Sequence, residues 1–495
     1  MLMDNLRLDV SRRAKTDFPA GQAVLAPASG ERCLSRSRRK LQRLLDANHG
    51  EIKIYLGQAG LRRRPGPRAH VREEETMTLT DTSASQPVTI DEIITTVVMA
   101  RVTDFFGFFV YAIASAIVFP HLFFPTFDPV TGTMLSFLLF SLAFIARPIA
   151  GLVGRRVQAR IGRRAKVIVA LMILGTATVA IGLLPGYAQI GWLAPVLLAL
   201  LRFTQGIGLG GAWDGLTLQL QNAAPPGRNG FYAMIPQLGG PLGFIVAAAL
   251  FYVLTGFLTS EEFYEFGWRF TFFAVFGVNV VALFARIRLL ESDLGGDARV
   301  MQSAPLPELL RDHWRMILVS TFLPLASYAL FHMVTVFPLA YEHLYTQQRI
   351  SHILLLQVFG GVLAVAGVVA SGLLADRITR QRVLWISTSL IVILCLLLGA
   401  LNFAPALFIL PGFLLLGFAY GQASAIVPNR YPPEFRYTGT AISTNLSWLF
   451  GAAFAPLAGL TLTATLGLWA AALYLLSAVV VTVVTLYLFQ KWSRR

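Results

Sequence analysis

Twelve stretches of this chain, each about twenty residues long, hold almost nothing that water would solvate. They fall at about 96–120, 132–153, 166–185, 192–220, 230–256, 269–287, 315–338, 350–373, 384–402, 405–427, 438–461 and 465–489. Crossing roughly 30 Å of hydrocarbon takes about 20 mostly apolar residues at 1.5 Å each. The runs are continuously apolar rather than alternating, which fits helices and excludes a membrane β-barrel. Only 14% of the 495 residues are Asp, Glu, Lys or Arg, against 55% apolar, too few charges to coat a soluble surface of this size. The fold class expected is an all-α membrane protein with twelve transmembrane helices in two pseudo-symmetric six-helix bundles. Cys33 and Cys395 are the two cysteines, one in a basic leader and one in an apolar run, so no disulfide is expected.

Charge orients these spans. The connection after the second span, Arg155 to Lys166, carries six bases and no acid, and Arg228, Arg377, Arg380, Arg382, Arg430, Arg436, Lys491, Arg494 and Arg495 fall on the same side. The opposite connections carry Asp128, Glu261, Glu262, Glu265 and Glu342. Positive loops stay cytoplasmic, so both termini are expected to face inward. Residues 1–76 hold 16 Lys/Arg against 9 Asp/Glu of a chain whose net charge is +15. Like-charge blocks of that kind stay disordered as a rule. Glu73 to Glu75 can be encoded by a ribosome-binding GAGGAG just ahead of Met77, so the native start is expected at Met77. The domain boundaries follow: a basic leader at 1–87, an N-terminal bundle at 88–287, a charged cytoplasmic linker with Pro305 and Pro307 at 288–314, and a C-terminal bundle and tail at 315–495.

The two halves echo one another. The basic segment at 155–164 has a counterpart 217 residues on, Gly372-Leu373-Leu374-Ala375-Asp376-Arg377-Ile378-Thr379-Arg380-Gln381. Paired helical repeats around a central site suggest a carrier that rocks between two openings. The segment at 372–381 resembles the pattern Gly, three residues, Asp-Arg, one residue, Gly-Arg-Arg/Lys of the major facilitator superfamily, and Arg202-Phe203-Thr204-Gln205-Gly206 resembles its Arg-x-x-Gln-Gly motif. Arg147-Pro148-Ile149, the run Pro236 to Gly243 and Arg436-Tyr437-Thr438-Gly439 are similar to its metabolite:proton symporter family, of the shikimate, α-ketoglutarate and proline/betaine type. The resemblance covers about 94–489 and implies the major facilitator fold, transport of a small solute and a proton as coupling ion.

Several positions depart from that pattern. Ala159 replaces the family's Asp in the first-half segment, Arg155 its first Gly, and Thr379 the second Gly of the second-half segment. In the first span the family's Glu-Trp-Tyr-Asp-Phe-Phe reads Asp104-Phe105-Phe106-Gly107-Phe108-Phe109, so one acid is lost at Gly107. In the fourth span Ala212 and Asp214 show the acid moved two positions, about 200° around a helix.

A charge inside hydrocarbon costs several kcal/mol, so intramembrane polar groups are the candidates for function. Arg101 and Asp104 are spaced i, i+3 and share a helix face with Phe108 and Tyr111, a stripe suited to a central cavity. Asp104 is a candidate to exchange the coupling proton, with Arg101 tuning its acidity; a local ion pair is the plainer alternative. Arg202 stays charged and can hold a carboxylate substrate or tune a nearby acid; alternatively it packs against backbone carbonyls. Trp213 can stack on a planar substrate, and Asp214 is a second intramembrane carboxylate. His332 suits a proton relay or a neutral core position, and Gln237 and Asn445 can bind substrate or bridge helices. Arg160, Arg163, Asp376, Arg377 and Arg380 are the expected gate, with Asp376 latching the cytoplasmic end near a helix N-terminus and Arg377 pairing across the halves. Because Ala159 leaves the first half without an acid, that gate is expected to lean on Asp376. The halves are expected to enclose a shared wet vestibule.

No Gly-Lys-Ser/Thr phosphate loop, metal-ligand spacing or Gly-x-Ser-x-Gly elbow is present, so no enzyme activity and no cofactor are expected. The function expected is secondary active transport of a small polar metabolite, an organic acid in view of Arg101 and Arg202, by alternating access with proton symport. A proton-independent facilitator or exchanger, and a non-transporting membrane sensor, remain open as alternatives. The partners expected are the substrate, protons and the lipid bilayer, with no nucleic acid; the chain is expected as a multi-pass monomer of the bacterial inner membrane.

Overall fold

The structure, a computed structural model, describes residues 90–212, 218, 220, 221, 223–291, 306–346, 348–423 and 431–493. The leader with Met77 and Cys33, the pair Trp213 and Asp214, linker residues 292–305, and Arg430, Arg494 and Arg495 lie outside it. The described chain is helical, with no strand among those residues. In order the helices are α1 (Ile90–Ile117), α2 (Pro129–Gly154), α3 (Arg156–Leu183), α4 (Leu193–Gly211), α5 (Asn229–Phe257), α6 (Arg269–Glu291), α7 (Pro307–Tyr345), α8 (Ile350–Ile378), α9 (Arg380–Leu396), α10 (Ala406–Ala423), α11 (Pro433–Leu466) and α12 (Leu468–Lys491). Ten are long and apolar enough to cross a membrane, and an eleventh span arises if Ser260–Gly267 and Arg269–Phe284, bent by 43°, count as one. Helix α9 has 17 residues.

Local chemistry starts these helices where the sequence places them. Asp128 caps α2 by accepting from Thr131 N at 3.0 Å, with Pro129 in the first turn where its missing N–H costs nothing. The hydrogen bonds from Thr131 hold the exposed Asp128 carboxyl below its ordinary range. Ahead of α6, Thr259 and Glu262 form a reciprocal capping box. Helix α7 breaks around Pro324 and again at Val336, and its middle piece, Leu325–Thr335, is buried throughout. It is the innermost helix of the second set and runs beyond the expected 315–338 at both ends. Helix α1 likewise begins at 90, ahead of the expected 96.

Glycines bring backbones into contact within each set. A Cβ on Gly206 would stand 2.5 Å from Ala143 O, so α4 lies directly on α2. The pairing α1 with α5 and α2 with α4 recurs as α7 with α11 and α8 with α10. The repeat reaches the backbone dihedrals. The segment at 155–164, expected as a loop, is helical on both sides of a single break at Gly162 (φ 82°, ψ 166°), and its counterpart Thr379 joins α8 to α9 at φ 107°, ψ 144°. Both halves need the same turn, but only the first supplies glycine.

Thr379 is the one non-glycine residue at positive φ among those described, in a region that costs a side-chain-bearing residue about 1–3 kcal/mol. Its hydroxyl gives little back, accepting from Arg382 N at 3.4 Å, and glycine replaces a threonine cap for a few tenths of a kcal/mol. Thr379→Gly should therefore stabilise the protein by about 1 kcal/mol, read as a higher Tm in detergent; an unchanged or lower Tm would contradict the strain.

Candidate functional site

Where the two helix sets meet, the sequence leads one to expect water, and the structure places aromatic rings. Phe105 of α1 packs on Phe331 of α7 (centroids 5.9 Å apart), Tyr420 of α10 (6.2 Å) and Trp448 of α11 (6.0 Å). Phe109 stacks on Phe331 at 5.5 Å, and Phe244 of α5 meets Phe413 of α10 at 5.0 Å. The expected vestibule is closed in this conformation because bulky rings from both sets interdigitate across it. Trp448 opens a π-helical turn, Trp448–Ala452, whose widened backbone lets Gly451 O accept from Tyr474; such turns recur at functional sites.

His332 sits inside this cluster, fully buried. Phe108 stacks on it at 5.3 Å, while Phe140 and Phe144 approach edge-on. Thr335 donates its hydroxyl hydrogen to Phe331 O at 2.8 Å, so at the 3.4 Å contact with His332 Nδ1 the ring nitrogen is the donor. That leaves His332 Nε2 as an acceptor with no partner among the described residues.

Behind Phe108, within the N-terminal set, lies Arg202, 1% exposed. Its Nε donates to Phe140 O (3.3 Å) and its Nη1 to Gln205 Oε1 (3.0 Å), and Gln205 Nε2 donates to Thr178 Oγ1 (2.8 Å). The guanidinium lies 3.7 Å above the Tyr111 ring and 5.8 Å from that of Phe108. Neutral groups supply every hydrogen bond Arg202 makes among the described residues, and its Nη2 has none. A cavity of about 10 Å³, room for one water, is lined by Asp104, Thr178, Arg202, Gln205 and Asn279.

The stripe Arg101, Asp104, Phe108, Tyr111 therefore divides. Asp104 and Tyr111 turn inward beside Arg202, Phe108 faces the second helix set, and Arg101 lies 5.0 Å over Phe105 and hydrogen-bonds Tyr420 of α10. Arg101 and Asp104 stand 3.8 Å apart, a loose ion pair. Arg147, noted in the sequence only as part of a family motif, places its guanidinium 5.7 Å from the Trp448 ring. An arginine in the middle of an apolar span was the signal for it. Gln205 likewise stood only in a family motif, and Tyr420 and Trp448 join the site with no comparable signal, since aromatic residues are common in spans. Gln237 is buried where a 3-10 turn, Ile235–Leu238, interrupts α5.

Asn445, 5% exposed, lies one turn before Trp448 on α11. It lines a cleft of about 230 Å³ between α2, α4 and α11, with Gln158, Lys166, Tyr437, Gly151 and Gly210. Lys166 is 7% exposed and donates to Gln158 Oε1 at 3.0 Å. On the symmetry-related side, polar contacts fasten α5 to α8 and α10. There Asp376 accepts from Gly230 N (2.5 Å) and Phe231 N (3.1 Å) at the start of α5, Arg380 donates to Asn229 O (2.5 Å), and Gln422 donates to Gly230 O (3.0 Å). A carboxylate on first-turn amides gains from charge-assisted bonds and the helix dipole. Arg377 is exposed and outside these contacts, Arg160 is exposed and Arg163 half-buried.

A helical molecule with paired repeats, spans of membrane length and charge inside those spans belongs to the class of multi-pass membrane carriers. The profile of the Major Facilitator Superfamily matches residues 104–444, and the chain belongs to that superfamily. It is 39% identical over 404 residues to the inner membrane metabolite transport protein YhjE of Escherichia coli (strain K12), covering 78% of this chain and 90% of that one. It is 28% identical over 414 residues to the shikimate transporter of the same strain (79% and 93% covered), and 26% identical over 428 residues to the proline/betaine transporter of Salmonella typhimurium (strain LT2), covering 83% and 85%. These are relatives of the kind that the motifs at 147–149, 236–243 and 436–439 resemble. Among solved structures, a D-xylose-proton symporter superposes with a TM-score of 0.62 at 16% identity over 80% of this chain and 97% of that one, a likeness of fold. The chain is a transporter of this superfamily, not an enzyme.

Asp376→Asn keeps the side chain's shape and removes its charge from the α5 amides. Charged hydrogen bonds are worth about 1.5–3 kcal/mol, so the closed arrangement of α5 and α8 should become at least about tenfold less favoured. The check is maleimide labelling of a cysteine placed at Met234, buried on α5 against Gly372 of α8, in a Cys33→Ala, Cys395→Ala background; labelling rates that are equal with and without the Asp376→Asn substitution would contradict the latch.

Proposed function

We propose that this chain is a secondary active transporter that moves a small organic acid by alternating access with proton symport, as a monomer in the bacterial inner membrane. The observation that carries the reading is charge. Among the described residues, Arg101 and Arg147 stand where the halves meet, Arg202 lies behind Phe108 within the first set, and Asp104 is the acid that accompanies them. Buried guanidinium groups in excess of carboxylates are stabilised by an anion, and arginine offers a carboxylate two parallel N–H donors. In this reading the substrate carboxylate binds between Arg147 and Arg202, with His332 Nε2 accepting from a substrate hydroxyl and Trp448 forming an apolar wall. Asp104, beside Arg202 and Arg101, holds the coupling proton; when it is protonated the arginine excess rises by one charge and anion binding strengthens. The relatives named for metabolites, shikimate and proline/betaine support a small polar solute.

The same reading places twelve spans, with α9 as the short one and both termini cytoplasmic. The end bearing Asp376 and the bases from Arg156 to Lys166 faces the cytoplasm, and the end bearing Asp128, Glu261, Glu262 and Glu265 faces outward. Asp376 and Arg380 fasten α8 to α5 at the cytoplasmic gate, and Arg160 and Arg163 hold that end by their charge.

Proteoliposomes give the test, after a thermal-shift screen of organic acids, amino acids and betaines has named the solute. Uptake should accelerate several-fold under an imposed inward proton gradient. Asp104→Asn should abolish that acceleration while leaving exchange of preloaded solute, and Arg202→Gln should abolish uptake. Gradient-independent uptake by the unsubstituted protein would favour a facilitator or exchanger, and binding without counterflow would favour a sensor.

A further inference from the structure

At the end of the molecule opposite Asp376, the last piece of α7, Phe337–Tyr345, packs against α1, α2, α8 and α11. It carries Glu342, a carboxylate that is 1% exposed. No lysine or arginine lies within ion-pair distance of it among the described residues, and its Oε1 has no hydrogen-bond partner there. Its Oε2 stands 2.7 Å from Thr346 Oγ1, while the same hydroxyl stands 2.8 Å from the main-chain oxygen of Glu342. One hydroxyl has one hydrogen. If Thr346 donates to the carbonyl, as threonine does four residues along a helix, an ionised carboxylate at 2.7 Å would face its lone pairs. The contact closes without conflict if Glu342 Oε2 is itself the donor. Thr346 Oγ1 then donates to the carbonyl and accepts from Glu342 and, at 3.3 Å, from Gln348 N, which uses its full capacity.

We propose that Glu342 is a proton-binding site of the outer end: protonated while Phe337–Tyr345 is packed against α1 and α2, and ionised when that packing parts and water reaches it. The physical ground is that a buried, unpaired carboxylate is far costlier than a carboxylic acid. Closing the outer end therefore takes one proton from the adjacent solution, and opening returns it. The titratable neighbours on each packed element are few. His352 on α8 acts on Glu342 from beyond ion-pair distance, and Tyr341 stands beside it, hydrogen-bonded to Asn402. Asp128 at the start of α2 acts on Tyr345, and His121 just after α1 acts on His343. Helix α11 brings no titratable group over Ala455–Leu466. The placement of this end outward rests on the reading given under Proposed function; the protonation does not.

Two measurements on the full chain in lipid nanodiscs test the site. Infrared difference spectra of the unsubstituted protein minus Glu342→Gln at neutral pH should show the C=O stretch of one protonated carboxylic acid, and Thr346→Val, which keeps the acid but deletes its acceptor, should shift that band. A missing or unshifted band would overturn the proposal. In an Ala340→Cys, Cys33→Ala, Cys395→Ala background, the rate of labelling by an impermeant maleimide, divided at each pH by that of an exposed reference cysteine so that thiolate formation cancels, should rise by up to about tenfold per pH unit as Glu342 ionises, and that ratio should be flat in Glu342→Gln. A ratio that ignores pH with Glu342 present, or still rises with pH in Glu342→Gln, would overturn it too. Neither readout needs a solute or a gradient, so transport that proves uncoupled to protons would leave both results standing.

Discussion

Hydrocarbon does not solvate charge, and the placement of every arginine and carboxylate in this molecule answers to that. Arg202 can stay ionised at 1% exposure because a carbonyl, a glutamine and the faces of Tyr111 and Phe140 surround it. Each substitutes in part for water: the carbonyl and amide by hydrogen bonds, the rings by their negative faces. The aromatic content of α1 and α2 is thus part of the electrostatics as well as the packing. Phe108 serves twice, one neighbour being the guanidinium of Arg202 and the other the imidazole of His332, so one side chain lies between the charged interior of the first helix set and the second set.

The closed centre bears on how such a carrier moves. Aromatic pairs are worth about 0.5–1.5 kcal/mol each beyond the area they bury. Several must separate before a solute can sit between Arg147 and Trp448. A solute that replaces those contacts lowers the cost of parting the halves, and one that fits poorly does not. In the proposed reading, selectivity resides as much in the rings that a solute displaces as in the arginines it meets.

Much of this was legible from residues alone. The spans stood out because continuous apolar length is a one-dimensional signal, and Asp104, Arg202 and His332 stood out because charge inside such a run is rare. What could not be read was direction. Spacing places Asp104, Phe108 and Tyr111 on a common face, yet a span of α1 is surrounded on all sides, and its neighbours decide that Asp104 and Tyr111 turn toward α4 while Phe108 turns toward α7. The filling of the centre was illegible for a related reason: Phe105, Phe331, Tyr420 and Trp448 are spread across the chain, and no local pattern says that they converge. Asp376 was recognised from its motif, but its partners proved to be main-chain amides of Gly230 and Phe231, which carry no sequence signature. Asn445 is a polar residue at a familiar position whose surroundings, a cleft shared with Gly151 and Lys166, could not be read from its own span.

The unequal joints between the halves set the axis about which they can turn. On one flank α5 and α8 are fastened by Asp376, Arg380 and Gln422; on the other, Ala159 leaves the start of α3 without an acid to offer α11, and a cleft lined by α2, α3, α4 and α11 stands there. A body held along one border and loose along the opposite one swings like a door instead of tilting evenly. In the proposed reading, a solute released on that side passes Asn445 and Lys166, and the missing carboxylate, trivial as a single residue, gives the molecule a handedness of exit that its internal symmetry would otherwise deny it.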